Sequence, residues 1–229
     1  MPLDRSDSAP EHKAVTDDLL ARFSWPVEEE FMRDAFEVVT DWAQRKHVVF
    51  WPRESDPAAP SFARYLHEMG HALLAEQAHQ QFSRPFFARG TDPALRNTYA
   101  PLFDAALDWY VQELIMGVAP QIQAEDIDAR FRQTALTLRQ GAALPSVEFV
   151  VDAGLALASF KHSRGLDVST QGKLADVVEA FLRTPPDKPT LFGLQNLIRR
   201  LLECFGSHTA SLVSEKGFER WRIVPLKKG

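Results

Sequence analysis

The sequence predicts a mainly α protein with a small β-sheet, an α+β chain made of one minimal core and a helical C-terminal region. Three observations carry this. Apolar residues recur at helical spacing through most of the 229 residues. One β-branched and aromatic run, His47-Val48-Val49-Phe50-Trp51, interrupts them and ends at Pro52, which reads as a strand. The segment Phe218–Pro225 alternates weakly and reads as a second strand.

Taken in order, residues 1–14 are polar and contain proline, and are expected to form a poorly ordered tail. Phe31, Ala35, Val38, Val39 and Trp42 then recur at helical spacing from Val27, with Glu28, Glu29 and Glu30 in the first turn, where acidic groups complement a helix dipole. After the strand at 47–51, residues 53–60 are proline-rich and read as a loop. A helix follows from Pro60, a good first-turn residue, to about Gln80. Residues 81–98 read as a long loop, and a helix from Ala100 to Met116 stops before Gly117 and Pro120. Four further helices are expected near 124–140, 146–163, 170–183 and 190–206, separated by Gly141 and Pro145, by Gly165, and by Pro185, Pro186 and Pro189. This gives a tail over 1–14, a core over 15–120, and a helical region over 121–229 packed with the core as one unit.

Composition narrows the function. The chain is 45% hydrophobic and 25% charged, as in an ordinary globular protein. Its 26 basic and 31 acidic residues give a net charge of -5 with no basic block, which argues against a general nucleic-acid binder. No apolar run reaches membrane-spanning length, so no membrane partner is expected. The polar N-terminal residues and the single cysteine point to a cytoplasmic protein, although one cysteine also suits a cysteine-poor secreted chain. Cys204 sits among Leu201, Leu202 and Phe205 and reads as a buried, inert thiol. Arg199-Arg200 and Lys227-Lys228 read as solvated basic pairs.

The chemistry concentrates in His67-Glu68-Met69-Gly70-His71. Four residues apart on a helix, His67 and His71 share one face and can reach one ion. Imidazole is a favoured zinc ligand. Glu68 is rotated about 100° from His67 around the helix, which sets it beside the open coordination position as a general base. Polar ligands within the otherwise apolar stretch of Tyr65, Leu66, Met69, Ala72 and Leu73 need a reason for their burial.

This motif, following a strand and lying on a helix, resembles that of the zincin metallopeptidases. The resemblance implies a zincin-like core, a zinc cofactor, and a peptide or protein substrate cleaved by a zinc-activated water with Glu68 as general base. A catalytic zinc takes three protein ligands. The metzincin branch would need a third histidine at position 77, which is Gln77. His79 lies about 12 Å beyond His71 along a helix axis and reads as a surface histidine. The gluzincin-like branch draws its third ligand from a later helix that carries an acidic residue followed four positions later by Asp or Asn. Asp104-Ala105-Ala106-Leu107-Asp108 is similar to that pattern, with Asp in place of the usual Glu. In one register Asp104 binds the metal and Asp108 orients a ligand histidine; in the other Asp108 is the ligand. Asp92, in Gly90-Thr91-Asp92, is a weaker candidate by its similarity to an aspzincin signature.

Tyr110, Tyr99 and His208 are candidate oxyanion donors by residue type only, and each reads first as a structural residue. The strand His47–Trp51 is a candidate sheet edge for an extended substrate, or else a buried core strand. The competing function is a catalytically silent zincin-like module that binds a protein partner through its helical half. A metal-dependent amidase acting on a small molecule is a third reading.

Overall fold

A computed structural model describes residues 10–33, 35–52, 60–141 and 146–226. Among the described residues the chain is mainly α-helical, with one three-stranded and one two-stranded sheet, as the sequence predicts. No described helix is long and apolar enough to cross a membrane. Two compact units form, one from residues 1–83 and 111–123 and the other from 84–110 and 124–229. Residues 1–9, the loop at 53–59, the linker Pro145 and the pair Lys227-Lys228 lie outside the described residues.

The first unit begins with α1 (Pro10–Leu20), so the end of the stretch read as a tail is helical. Pro10 opens it, Leu19 is buried, and the Thr16 hydroxyl donates back to the His12 carbonyl. The helix expected from Val27 to Trp42 is absent. In its place stand β1 (Val27–Arg33) and β2 (Glu37–Asp41), which flank β3 (Lys46–Pro52) in the order β1-β3-β2. β1 runs parallel to β3 and β2 antiparallel. The helical spacing of Phe31, Ala35, Val38, Val39 and Trp42 is overridden because both β1 and β2 find a partner in the same β-forming run. The turn between β2 and β3 is set by Asp41, whose Oδ1 accepts the Ala43 and Gln44 amides, and by Arg45 at φ 51.

β3 is the central strand, bonded on both sides, with Val48, Val49 and Trp51 buried. That corrects its reading as a free sheet edge: its backbone donors and acceptors are already paired. Phe36, Trp51 and Tyr65 form an aromatic cluster between the sheet and α2 (Phe62–Gln77). Ser61 caps α2 by accepting the Arg64 amide. Its core face buries Tyr65, Leu66, Met69 and Leu73, each worth roughly 1.5–3 kcal/mol of transfer free energy.

Helix α3 (Pro93–Val118) is longer than the sequence predicts, starting within the stretch read as a loop. Asp92 Oδ1 accepts the Ala94 amide at 2.7 Å and Pro93 takes the first helical position, together nucleating the extra turns. Pro101 sits inside the helix, at the cost of one backbone bond. Its C-terminal part, from Val111, packs within the first unit: a Cβ at Gly70 would stand 2.8 Å from Val111 Cγ1.

The second unit contains the α3 residues up to Tyr110, most of α4 (Pro120–Arg139), then α5 (Val147–Arg164), α6 (Gly172–Leu182) and α7 (Leu191–Phe205). Ser146 and Thr190 cap α5 and α7, and Gly165 and Gly206 close them in the left-handed conformation. β4 (His208–Glu215) and β5 (Phe218–Pro225) form a hairpin around Lys216 and Gly217, both at positive φ. β5 matches the predicted strand, whereas β4 was not anticipated. Trp221 is buried and exchanges backbone bonds with Phe86 and Ala88, tying part of the expected 81–98 loop to the hairpin.

Candidate metal centre

Helix α2 carries His67, Glu68 and His71 half-buried, the first two between the fully buried Leu66 and Met69 and the third between the buried Gly70 and Ala72. His71 Nδ1 lies 2.9 Å from the carbonyl oxygen of Phe82. A carbonyl can only accept, so Nδ1 bears the proton and Nε2 of the neutral ring presents its lone pair. That lone pair faces His67, whose Nε2 is 3.2 Å away, with the two rings crossed at 81°. Two nitrogens each about 2.05 Å from a common ion and separated by this distance subtend about 103° at it, close to the tetrahedral angle. The imidazole pair could therefore hold one metal ion.

A carboxylate oxygen of Asp108 completes the group: one ligand atom from each of His67, His71 and Asp108 lies within 4.8 Å of the others. Asp108 is half-buried and precedes Val111 by three residues on the same helix, about one turn from the residue that contacts Gly70. Gly70 thus leaves room for Val111 where α2 meets the C-terminal part of α3. Asp104 lies one turn earlier, is exposed, and stands outside this group.

The orienting carbonyl has its own support. Phe82 is fully buried and ends a short 3₁₀ turn, Gln80–Phe82. His79 caps that turn, its side chain accepting the Gln81 amide. The histidine read as a surface residue is thus half-buried and helps hold the turn whose carbonyl fixes the His71 tautomer. Residue-type reasoning misses Phe82 because the functional atom belongs to the backbone. An accepting carbonyl just beyond the helix end leaves no side-chain signature.

A second anchor lies on α2 at Glu76. Its carboxylate accepts the Ser24 and Trp25 amides and meets the fully buried His47 Nε2 at 2.9 Å. His47 Nδ1 is 3.0 Å from the Thr40 hydroxyl. Burial lowers the His47 pKa despite the hydrogen bond and charge of Glu76. Burial works to raise the Glu76 pKa, but the bonds from His47, Ser24 and Trp25 outweigh it and hold it low. One side chain of the metal-motif helix is thereby tied to β3, β2 and the turn before β1.

The remaining sequence candidates fall elsewhere. Asp92 is exposed and caps α3. In the second unit, Tyr110 is buried, and burial alone pushes its pKa up. Its hydroxyl would sit 2.9 Å from a Cβ at Gly193, so it packs between helices. Tyr99 is buried with its hydroxyl 3.1 Å from His208 Nδ1, which also lies 2.9 Å from Ser207 Oγ. Cys204 is only part-buried, its thiol donates to the Arg200 carbonyl, and burial first, then Asp176, pushes its pKa to about 11. A thiol held protonated at neutral pH is a poor nucleophile.

Asp152 on α5 adds to the electrostatic surroundings of Asp108. Burial, then the charges of Glu148 and Asp108, raise its pKa, while Arg130 opposes them. No protein-family model, curated protein or solved structure matches this chain.

Proposed function

We propose that this chain is a zinc-dependent peptidase in which His67, His71 and Asp108 hold the metal and Glu68 is the general base. The observation that carries the proposal is the convergence of two imidazole nitrogens, one with its tautomer fixed by a buried carbonyl, and a carboxylate from a second helix. The zincin-like order His-Glu-Met-Gly-His supplies the remaining element, a glutamate one residue after the first histidine.

A zinc ion bound there supplies Lewis acidity toward the attacked carbonyl and the attacking water. The chain's own residues do the rest. The Phe82 carbonyl keeps the His71 proton on Nδ1, so Nε2 remains a donor of its lone pair. Glu68 accepts a proton from the attacking water and delivers it to the departing amine. Asp108 contributes one negative charge to the set and Asp104 is left outside it.

The test combines metal analysis with two variants. The purified protein is expected to hold one zinc per chain, His71→Ala to lose it, and Glu68→Gln to retain it. Glu68→Gln should cut peptide hydrolysis by about 10²–10⁴-fold, the usual contribution of a general base. A protein that takes up no zinc, or cleavage that survives Glu68→Gln, would refute the proposal.

A further inference from the structure

The second unit contains a pocket of about 580 Å³ that shares no residue with the metal-ligand set. This volume falls in the range of small-molecule sites, roughly 300–1,000 Å³. It is lined where the C-terminal ends of α4 and α7 approach the N-terminal ends of α5 and α6: Leu138 and Phe205 on one side, Val147, Phe149, Val150 and Leu174 on the other. Its remaining lining residues are Tyr99, Gln171 and Lys173.

Among the described lining residues Lys173 is the only charged side chain, in a chain whose net charge is -5. Its Nζ lies 5.1 Å from the centre of the Phe205 ring, so the cation is held against the apolar wall. Lys173 also lies in the first turn of α6, where the cap residue Gln171 makes no side-chain cap bond and no acidic residue is present. The amides of that turn add positive potential at the same end of the pocket. Leu138 is 37% exposed on the rim, more than an apolar core side chain normally is.

We propose that this pocket binds a small amphiphilic anion, a carboxylate on a short aliphatic or aromatic body. The apolar walls remove the body from water, and Lys173 pairs with the carboxylate. A neutral apolar ligand would gain nothing from the cation, and a cationic amphiphile would meet it as a like charge.

Calorimetric titration of the full chain with octanoate, octan-1-ol and octylammonium distinguishes these ligands by charge alone. Saturable one-to-one octanoate binding is expected, stronger than octanol, with octylammonium weakest. Lys173→Glu should lower octanoate affinity by about tenfold or more, the size of one charge-assisted hydrogen bond, without weakening octanol. Lys173 is exposed, so this variant is expected to fold. Leu138→Glu, at the exposed rim, should also weaken octanoate by placing a carboxylate beside it. The proposal is overturned by octanoate that does not saturate, by octylammonium binding as well as octanoate, or by Lys173→Glu leaving octanoate affinity unchanged. None of these readouts depends on the metal or on peptide hydrolysis.

Discussion

Replacing Gly70 by alanine sets two effects of opposite sign against each other. Alanine in a helix interior is favoured over glycine by about 1 kcal/mol. Against this, the new Cβ would lie 2.8 Å from Val111 Cγ1, 3.3 Å from Ile115 Cδ1 and 3.5 Å from Ile115 Cγ1. Comfortable carbon contacts are about 3.5–4.0 Å, so the nearest pair falls short by roughly 0.7–1.2 Å. Val111 is fully buried and β-branched on a helix, with one strongly preferred rotamer. The helices must therefore part, and overpacking of this kind costs about 1–3 kcal/mol. Gly117, later on α3, has nothing within 4 Å of its Cβ position, so Gly117→Ala reports the helix-propensity gain alone. The stability difference between the two variants, measured by urea unfolding with chelator present, should equal the overpacking cost of about 1–3 kcal/mol. Gly70→Ala should also weaken zinc binding, because Asp108 lies three residues before the displaced Val111. Pairing it with Val111→Ala should recover part of the loss beyond additivity. If Gly70→Ala is stabilised as much as Gly117→Ala, α2 and the C-terminal part of α3 do not meet closely at Gly70.

Gly154→Ala should be more damaging, since its Cβ would run into Val177 Cγ1 more closely than the Gly70 Cβ meets Val111, and thermal unfolding should show a loss near the upper end of the roughly 1–3 kcal/mol overpacking range, partly relieved by Val177→Ala. Asp108→Asn should weaken zinc binding in a chelator competition more than Asp104→Asn does, because only Asp108 stands with the two histidines. Acid should weaken the fold through His47 and Glu76. The lowered His47 pKa makes the unfolded chain the better proton acceptor, so stability falls as pH drops below the ordinary histidine value of 6.5. Glu76, also lowered, contributes stability above its ordinary value of 4.5 that is lost as pH falls through its depressed folded value. Urea unfolding of apo-protein between pH 7 and 2 should show both losses, and His47→Gln should flatten the upper one; a pH-independent midpoint between pH 7 and 5 counts against the buried pair.

The metal motif was legible because its information is local. His67 and His71 need only four residues of helix to share a face, and Pro60 and the apolar stripe mark that helix in sequence. The choice between Asp104 and Asp108 was not legible. Both lie on the same face of α3, and their spacing along one helix does not say which turn meets the histidines. The region 27–42 misled for a related reason. Its apolar spacing suits a helix, but the deciding term is pairing with β3, and residue spacing within one segment carries no record of a partner. β4 is mostly half-exposed and turns through Lys216-Gly217 rather than a strong hairpin pair such as Asn-Gly, so neither burial nor turn chemistry announced it.

The order β1-β3-β2 also bears on how the chain acquires its sheet. The middle strand is the last of the three in sequence, so β1 and β2 have no neighbour when they leave the ribosome. β2 can zip onto β3 across a short turn, but β1 must wait for the far side of β3, and its parallel pairing closes a longer loop. During that interval β1 is an unpaired strand open to other chains. Glu28, Glu29 and Glu30, exposed in succession along it, place like charge on any second copy that approaches. The glutamates that resembled a helix start thus guard a late-closing strand against aggregation, and their replacement by threonine should show in the yield of refolding at high protein concentration before it shows in the stability of the finished fold.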